Sequence, residues 1–188
     1  MGEKYSSIGT QIGHLETSHP VNPPGEIPAY SSNPVNPAQM LNTLRFQTNI
    51  DAPASVIWQI LWDPATYPKW TAPFGEGSHA VSDWKEGSPI QFLGPGGGGI
   101  QSTIQKLKPN RLMEFRHTGE LKDGKPYVDP SHEEWTGAIE KYELSEVDAH
   151  TVLDVSVDTT EGFSDYMSKT FPAALQEVKK LAEEKVRK

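Results

Sequence analysis

Cysteine is absent from all 188 residues. That excludes disulfides, thiol nucleophiles and cysteine-ligated metals. Basic clusters are missing too: 17 Lys and Arg against 25 Asp and Glu leave a formal net charge of -8. Phosphate neutralisation has little to draw on, so no nucleic-acid partner is expected. No apolar run approaches the ~18 residues of a membrane span. The N-terminus carries neither a basic segment nor an apolar one of the kind that directs secretion. The expectation is a cytoplasmic protein without a membrane span. Metal-ligand spacing is lacking as well. His132-Glu133-Glu134-Trp135 continues with Thr136 where the second histidine of H-E-x-x-H must stand, and the other histidines show no ligand spacing. No metal and no cofactor is therefore expected. Gly94-Pro95-Gly96-Gly97-Gly98-Gly99 satisfies G-x-G-x-x-G to the letter. A dinucleotide site needs a helix after that pattern, and here the alternating segment Ile100 to Leu107 follows. A flexible hairpin tip at a cavity mouth is the better reading.

Proline, by contrast, is concentrated near the start. Pro20, Pro23, Pro24, Pro28, Pro34 and Pro37 fall among Ser, Asn and Gly with no periodic apolar pattern. Residues 1–41 therefore read as a flexible Pro-rich tail, and 42–188 as the folded domain. Leu44, Phe46, Thr48 and Ile50 alternate with polar residues, the mark of a half-buried strand. Asp51-Ala52-Pro53 opens a short helix with Val56, Ile57, Ile60 and Leu61 on its apolar face, and Asp63-Pro64 ends it. A second short helix is expected over 65–70. Trp58, Trp62, Tyr67, Trp70 and Phe74 crowd this region with aromatics.

From Gly77 to Thr160 the period changes to two. Strands are expected at 78–84, 88–93, 99–107, 111–118, 136–145 and 150–159, joined by short turns and hence antiparallel. Residues 119–134 read as a long irregular loop. Strand parity puts Met113 and Phe115 on one face with His117, and groups Ala138, Glu140, Tyr142 and Leu144. His117 and Glu140 then both face the sheet interior. In the last stretch, Phe163, Met167, Phe171, Ala174, Val178 and Leu181 form a helical stripe widened by Thr170, Leu175 and Ala182. Pro172 is expected to kink or divide that helix. Glu183 with Arg187 and Glu184 with Lys188 are spaced for i,i+4 pairs. The fold class is α+β: seven antiparallel strands in one curved sheet wrapped around a long C-terminal helix, with two short helices after the first strand.

This order, together with Asp51-Ala52-Pro53-Ala54-Ser55-Val56-Ile57-Trp58, Tyr67-Pro68-Lys69-Trp70 and Trp135-Thr136-Gly137-Ala138-Ile139-Glu140-Lys141-Tyr142, resembles the START-like superfamily. That superfamily is also called SRPBCC or birch-pollen-allergen-like, and has the helix-grip fold. Within it the chain looks most like bacterial homologues of the C-terminal domain of the heat-shock-chaperone ATPase activator. The resemblance implies the helix-grip fold over about 42–188 and a possible chaperone partner in the stress response. The superfamily spans ligand carriers, cyclases and co-chaperones, so it does not by itself assign an activity.

Three functions follow. The first is binding of a small, largely hydrophobic molecule between sheet and C-terminal helix, with Trp58, Trp70, Phe92, Met113, Phe115, His117, Glu140, Tyr142, Met167 and Phe171 as the candidate wall. The second is a cyclase or dehydratase type of enzyme with His117 and Glu140 as acid and base. Against it stands the plainer reading that Glu140 pairs with a Lys or Arg and that His117 hydrogen-bonds at a sheet edge. The third is a chaperone-associated protein-interaction module. Binding is placed ahead of catalysis.

Overall fold

The computed structural model describes residues 41–127 and 135–188. The expected tail, all but its last residue, and His132 lie outside them. Eight strands and three helices follow in order: β1 (Asn42–Ile50), α1 (Ala54–Trp62), α2 (Tyr67–Trp70), β2 (His79–Val81), β3 (Pro89–Leu93), β4 (Gly99–Lys108), β5 (Leu112–Lys122), β6 (Lys125–Tyr127), β7 (Ile139–Val147), β8 (His150–Thr159) and α3 (Glu161–Val186). The sheet runs β1-β8-β7-β5-β4-β3-β2, with β6 paired off the path to β5. All these pairings are antiparallel. The architecture is therefore α+β, an open curved sheet with a long C-terminal helix and two short helices after the first strand.

Three expectations about the strands and their turns need correction. The stretch 119–134 is not wholly irregular: β5 continues to Lys122, turns at Asp123-Gly124 and returns as β6. Asp123 at φ 52 and Gly124 at φ 70 supply the left-handed backbone that this two-residue turn requires. The strand expected at 78–84 is only three residues long, and Trp84 beyond it sits at φ 57. Finally, the Gly94–Gly98 tip is not free. Gly124 donates its N–H to the Gly97 carbonyl at 2.7 Å, which ties the β3–β4 hairpin to the β5–β6 turn.

Strand parity matches the burial. Met113, Phe115 and His117 on β5, Tyr142 and Leu144 on β7, and Leu153, Val155 and Val157 on β8 are all buried. Phe115 faces Glu140 across the β5–β7 ladder, and Glu140 faces Val157 across β7–β8. On β4 the register shifts between Gln101 and Ser102 and again between Ile104 and Lys106. Such bulges bend a strand and re-aim its side chains. Here they leave Ser102 buried and opposite His117.

Helix α3 packs on β1, α1 and α2. Thr170, Phe171, Ala174, Leu175, Val178 and Ala182 are its buried face. Phe163 departs from the expected stripe: it is 55% exposed, and Tyr166 is 44% exposed. Periodicity locates a face but not the end of the surface beneath it. The first two turns lie mostly in solvent, held by the Tyr166 hydroxyl donating to the Phe74 carbonyl at 3.1 Å. Pro172 does not divide the helix, which is continuous from Glu161 to Val186, and the ring faces solvent.

The ion pairs near the C-terminus also differ. Glu183 takes Lys179 as its partner and accepts the Asp51 backbone N–H at 3.1 Å, while Arg187 donates to the Glu183 carbonyl. Lys179 also donates to the Asn49 carbonyl at 2.8 Å. These bonds fasten α3 to the end of β1 and hold the Glu183 carboxyl below its ordinary pKa, the Lys179 hydrogen bond being the main cause.

Candidate functional site

The interior of the sheet holds a compact group of polar side chains among aromatic rings. At its centre Glu140 of β7 points inward. Its carboxyl accepts the Tyr142 hydroxyl at 2.5 Å through Oε1, and Oε2 lies 3.5 Å from His117 Nε2. On its other nitrogen, Nδ1, His117 meets the Ser102 hydroxyl at 2.8 Å. Ser102 and His117 are buried, whereas 18% of the Glu140 side chain is exposed. The expectation that Glu140 would pair with Lys or Arg is therefore corrected: its partners are a phenol and an imidazole. Nor does His117 sit at a sheet edge, because β5 has neighbours on both sides.

Burial sets the ionisation here. Removing a charged form from water favours the neutral one, whichever sign the charge has. The Glu140 carboxyl is pushed up to about 7, mainly by desolvation, against the opposing effect of the Tyr142 hydrogen bond. Desolvation pulls the His117 imidazole down to about 4, with the Asp158 charge opposing. The Tyr67 and Tyr142 phenols are both raised by burial first and by Glu140 next. His117 thus stays neutral near pH 7, where the Glu140 carboxyl lies close to the midpoint of its own titration.

Rings enclose this group. Phe115 meets Phe92 at 5.0 Å and 85°, and Tyr142 at 6.4 Å and 75°. Trp70 approaches Tyr142 at 6.3 Å, and its indole N–H is satisfied by the Leu61 carbonyl at 3.0 Å. Six of the ten expected wall residues are buried: Trp70, Met113, Phe115, His117, Tyr142 and Phe171. Trp58, Phe92, Glu140 and Met167 are partly buried. The structure brings Phe92, Phe115, His117, Glu140, Tyr142 and Trp70 together. Phe171 belongs to another aromatic group, stacked on Phe46 at 5.0 Å and edge-on to Phe74 at 4.9 Å. Trp58 reaches the cluster through Trp62, at 6.1 Å.

Three members are new. Ser102 carried no signal, because its placement depends on a bulge. Trp62 and Tyr67 stood in the aromatic-rich stretch but without a role. Trp62 packs edge-on against Tyr142 at 5.1 Å and Phe115 at 5.4 Å, and its buried Nε1 has no hydrogen-bond partner among the described residues. Tyr67, from α2, meets Trp70 at 5.3 Å and stacks parallel to Phe92 at 6.5 Å.

Two surface depressions lie elsewhere. One of about 570 Å³ is lined by Ala54, Ser55, the β4–β5 turn and Leu144 to Glu146. A second, of about 300 Å³, is polar and lies over Arg45, Glu143 and Asp154. Neither includes any of the ten expected residues. No group of three or more His, Asp or Glu among the described residues could hold a metal ion.

The family model for activator of Hsp90 ATPase homolog 1-like proteins matches residues 51–183. The chain belongs to this family. No curated protein matches it by sequence. Among solved structures, the solution structure of the Aha1 dimer from Colwellia psychrerythraea is 22% identical with a TM-score of 0.58, covering 76% of this chain and 96% of that one. Protein MLL2253 from Mesorhizobium loti is 13% identical at a TM-score of 0.59, over 74% and 96% of the two chains. CalU16 from Micromonospora echinospora is 20% identical at 0.53, over 74% and 73%. Likeness at this level of identity establishes the START-like fold and leaves the activity open.

Proposed function

We propose that residues 42–188 form a binding domain for a small, largely hydrophobic molecule, held between the inner face of the sheet and α3. One observation carries this reading. Glu140 stands on the inner face, where packing alone favours an apolar side chain, and its side chain keeps 18% exposure among buried rings. Desolvation of that carboxyl outweighs the relief from its Tyr142 hydrogen bond, which suits a side chain kept for a polar group that enters the site. An apolar wall with a few convergent polar groups is the usual build of a small-molecule site. Thermal-shift screening with lipids, flavonoids and polyketides tests it. A true ligand raises the melting temperature and quenches tryptophan fluorescence; no shift from any of them counts against the proposal.

A second reading is acid–base catalysis of the cyclase or dehydratase type, favoured by the 3.5 Å approach of His117 Nε2 to Glu140 and their opposite departures from ordinary pKa values. A bound ligand converted at unchanged rate by both His117→Gln and Glu140→Gln proteins would remove it. Family membership favours a chaperone as a further partner. Stimulation of the host chaperone's ATPase, with and without residues 1–41, tests that role and any contribution of the tail. A cytoplasmic location is part of the same proposal; no helix among the described residues is long and apolar enough to cross a membrane.

A further inference from the structure

Ser102 and His117 are held against each other from both sides of β5. The register shift between Gln101 and Ser102 sets Ser102 opposite His117. The Thr118 hydroxyl donates to the Gln101 carbonyl at 3.1 Å, which braces that bulge. Towards β7 the His117 backbone is clamped as well: its N–H donates to the Ala138 carbonyl at 2.9 Å, and its carbonyl accepts the Gly137 N–H at 2.8 Å. Trp135 stands edge-on to the imidazole at 6.0 Å. The ring therefore has one setting, with Nδ1 2.8 Å from Ser102 Oγ and Nε2 3.5 Å from Glu140 Oε2. Neither the ligand-binding nor the acid–base reading gives Ser102 a part.

Protons can be distributed over this chain in two ways. A neutral imidazole carries one N–H and one lone pair, and burial favours the neutral form of His117. With the proton on Nδ1, the imidazole donates to Ser102 Oγ. The serine's own O–H is then left without an acceptor among the described residues, in a residue with 0% exposure. With Nδ1 bare, Ser102 donates to it, and the remaining N–H, on Nε2, faces Glu140. A buried O–H left unmade shifts such a balance by about tenfold or more. We propose that Ser102 is a positioning residue: its donation to Nδ1 fixes His117 as the Nε2–H tautomer, so that His117 presents a donor to the site and Glu140 the acceptor. Tyr142 donates to the same carboxyl through Oε1, so two donors converge on Glu140. This division of roles rests on the acid–base reading above and names its parts. Glu140 is the base; neutral His117 is not, because one nitrogen holds the proton and the lone pair of the other is taken by Ser102. The tautomer itself depends on no ligand.

Two-bond 1H–15N correlation spectra separate a protonated ring nitrogen from a bare one. They are recorded near pH 7 on the full chain, labelled with 15N and free of ligand, with the His117 signals identified by their loss in His117→Gln. The expected spectrum shows Nε2 protonated and Nδ1 bare. Glu140→Gln keeps that pattern, since an amide offers Nε2 either an acceptor or a donor and expresses no preference of its own. Ser102→Ala added to Glu140→Gln lowers the preference by about tenfold, and the two nitrogen signals move towards each other as the second tautomer is populated. A proton on Nδ1 in the wild-type chain overturns the inference. So does a tautomer that changes in Glu140→Gln alone, or a preference that survives unchanged in the double variant. Each of these results leaves the ligand-binding and acid–base readings standing, because no ligand is present and those readings fall by their own tests.

Discussion

At Glu140 and His117 two buried groups respond to pH in opposite senses. The Glu140 carboxyl, raised to about 7 in the fold, keeps a proton that the unfolded chain loses near its ordinary value. Its contribution to stability is complete below about pH 4 and fades as pH rises through 7. His117, lowered to about 4, stays neutral where the unfolded imidazole is protonated. Its contribution is complete above about 6.5 and fades as pH falls through 4. Between these limits the two slopes offset each other. In Glu140→Gln only the histidine slope remains: stability then rises from pH 4 to 6.5 and stays level to pH 8, where the variant gains on the order of 1–3 kcal/mol over wild type. Urea unfolding at a series of pH values measures this, and an unchanged profile would show that Glu140 is not buried as described.

Gly99 tests the geometry beside the site. A Cβ there would stand 1.9 Å from the Phe92 carbonyl oxygen, a backbone atom that cannot step aside. Gly99→Ala is expected to destabilise by 3 kcal/mol or more, roughly the scale of backbone strain plus overpacking, and circular dichroism melting reads it.

Elements show where sequence reasoning reaches and where it stops. The strands of the sheet were legible because alternation and turn chemistry agree: Leu153, Val155 and Val157 alternate cleanly, and Asp148 supplies the φ of 52 that the β7–β8 turn needs. The inward placement of Glu140 was legible from parity alone. Other contacts were not, because they join residues far apart in the chain. The N-terminus of α1 has no side-chain cap of its own at Pro53; instead Glu146, 92 residues on, accepts the Ala54 N–H at 2.9 Å. Glu146→Ala is expected to cost about 1 kcal/mol, as loss of a helix cap does, checked by urea unfolding.

The α3 stripe makes the same point about length. Phe163 continues the helical period but projects past the core, whereas Phe171 is 3% exposed between Phe46 and Phe74. Phe171→Ala is expected to lose about 3–5 kcal/mol, and Phe163→Ser less than about 0.5 kcal/mol. Equal losses would mean that the first turns of α3 are packed after all.

For the whole molecule, the fold was legible from element order, since a strand, two short helices, a run of short-turn strands and a long amphipathic helix leave few compact arrangements. The site was legible only in part. His117 and Glu140 follow from strand parity, but Ser102 depends on a bulge, and the packing of Tyr67 on Trp70 and Phe92 depends on how α2 lies over the sheet. The same architecture serves proteins of unlike activity, so the fold alone does not assign the function. The central claim is that the cluster receives a small, largely hydrophobic molecule. Its most direct test is a thermal-shift screen of the full chain against lipids, flavonoids and polyketides, repeated for each hit with Glu140→Gln. The account predicts at least one compound that raises the melting temperature and whose effect changes in the variant. A screen with no stabilising compound, or one whose hits are indifferent to Glu140, would contradict it.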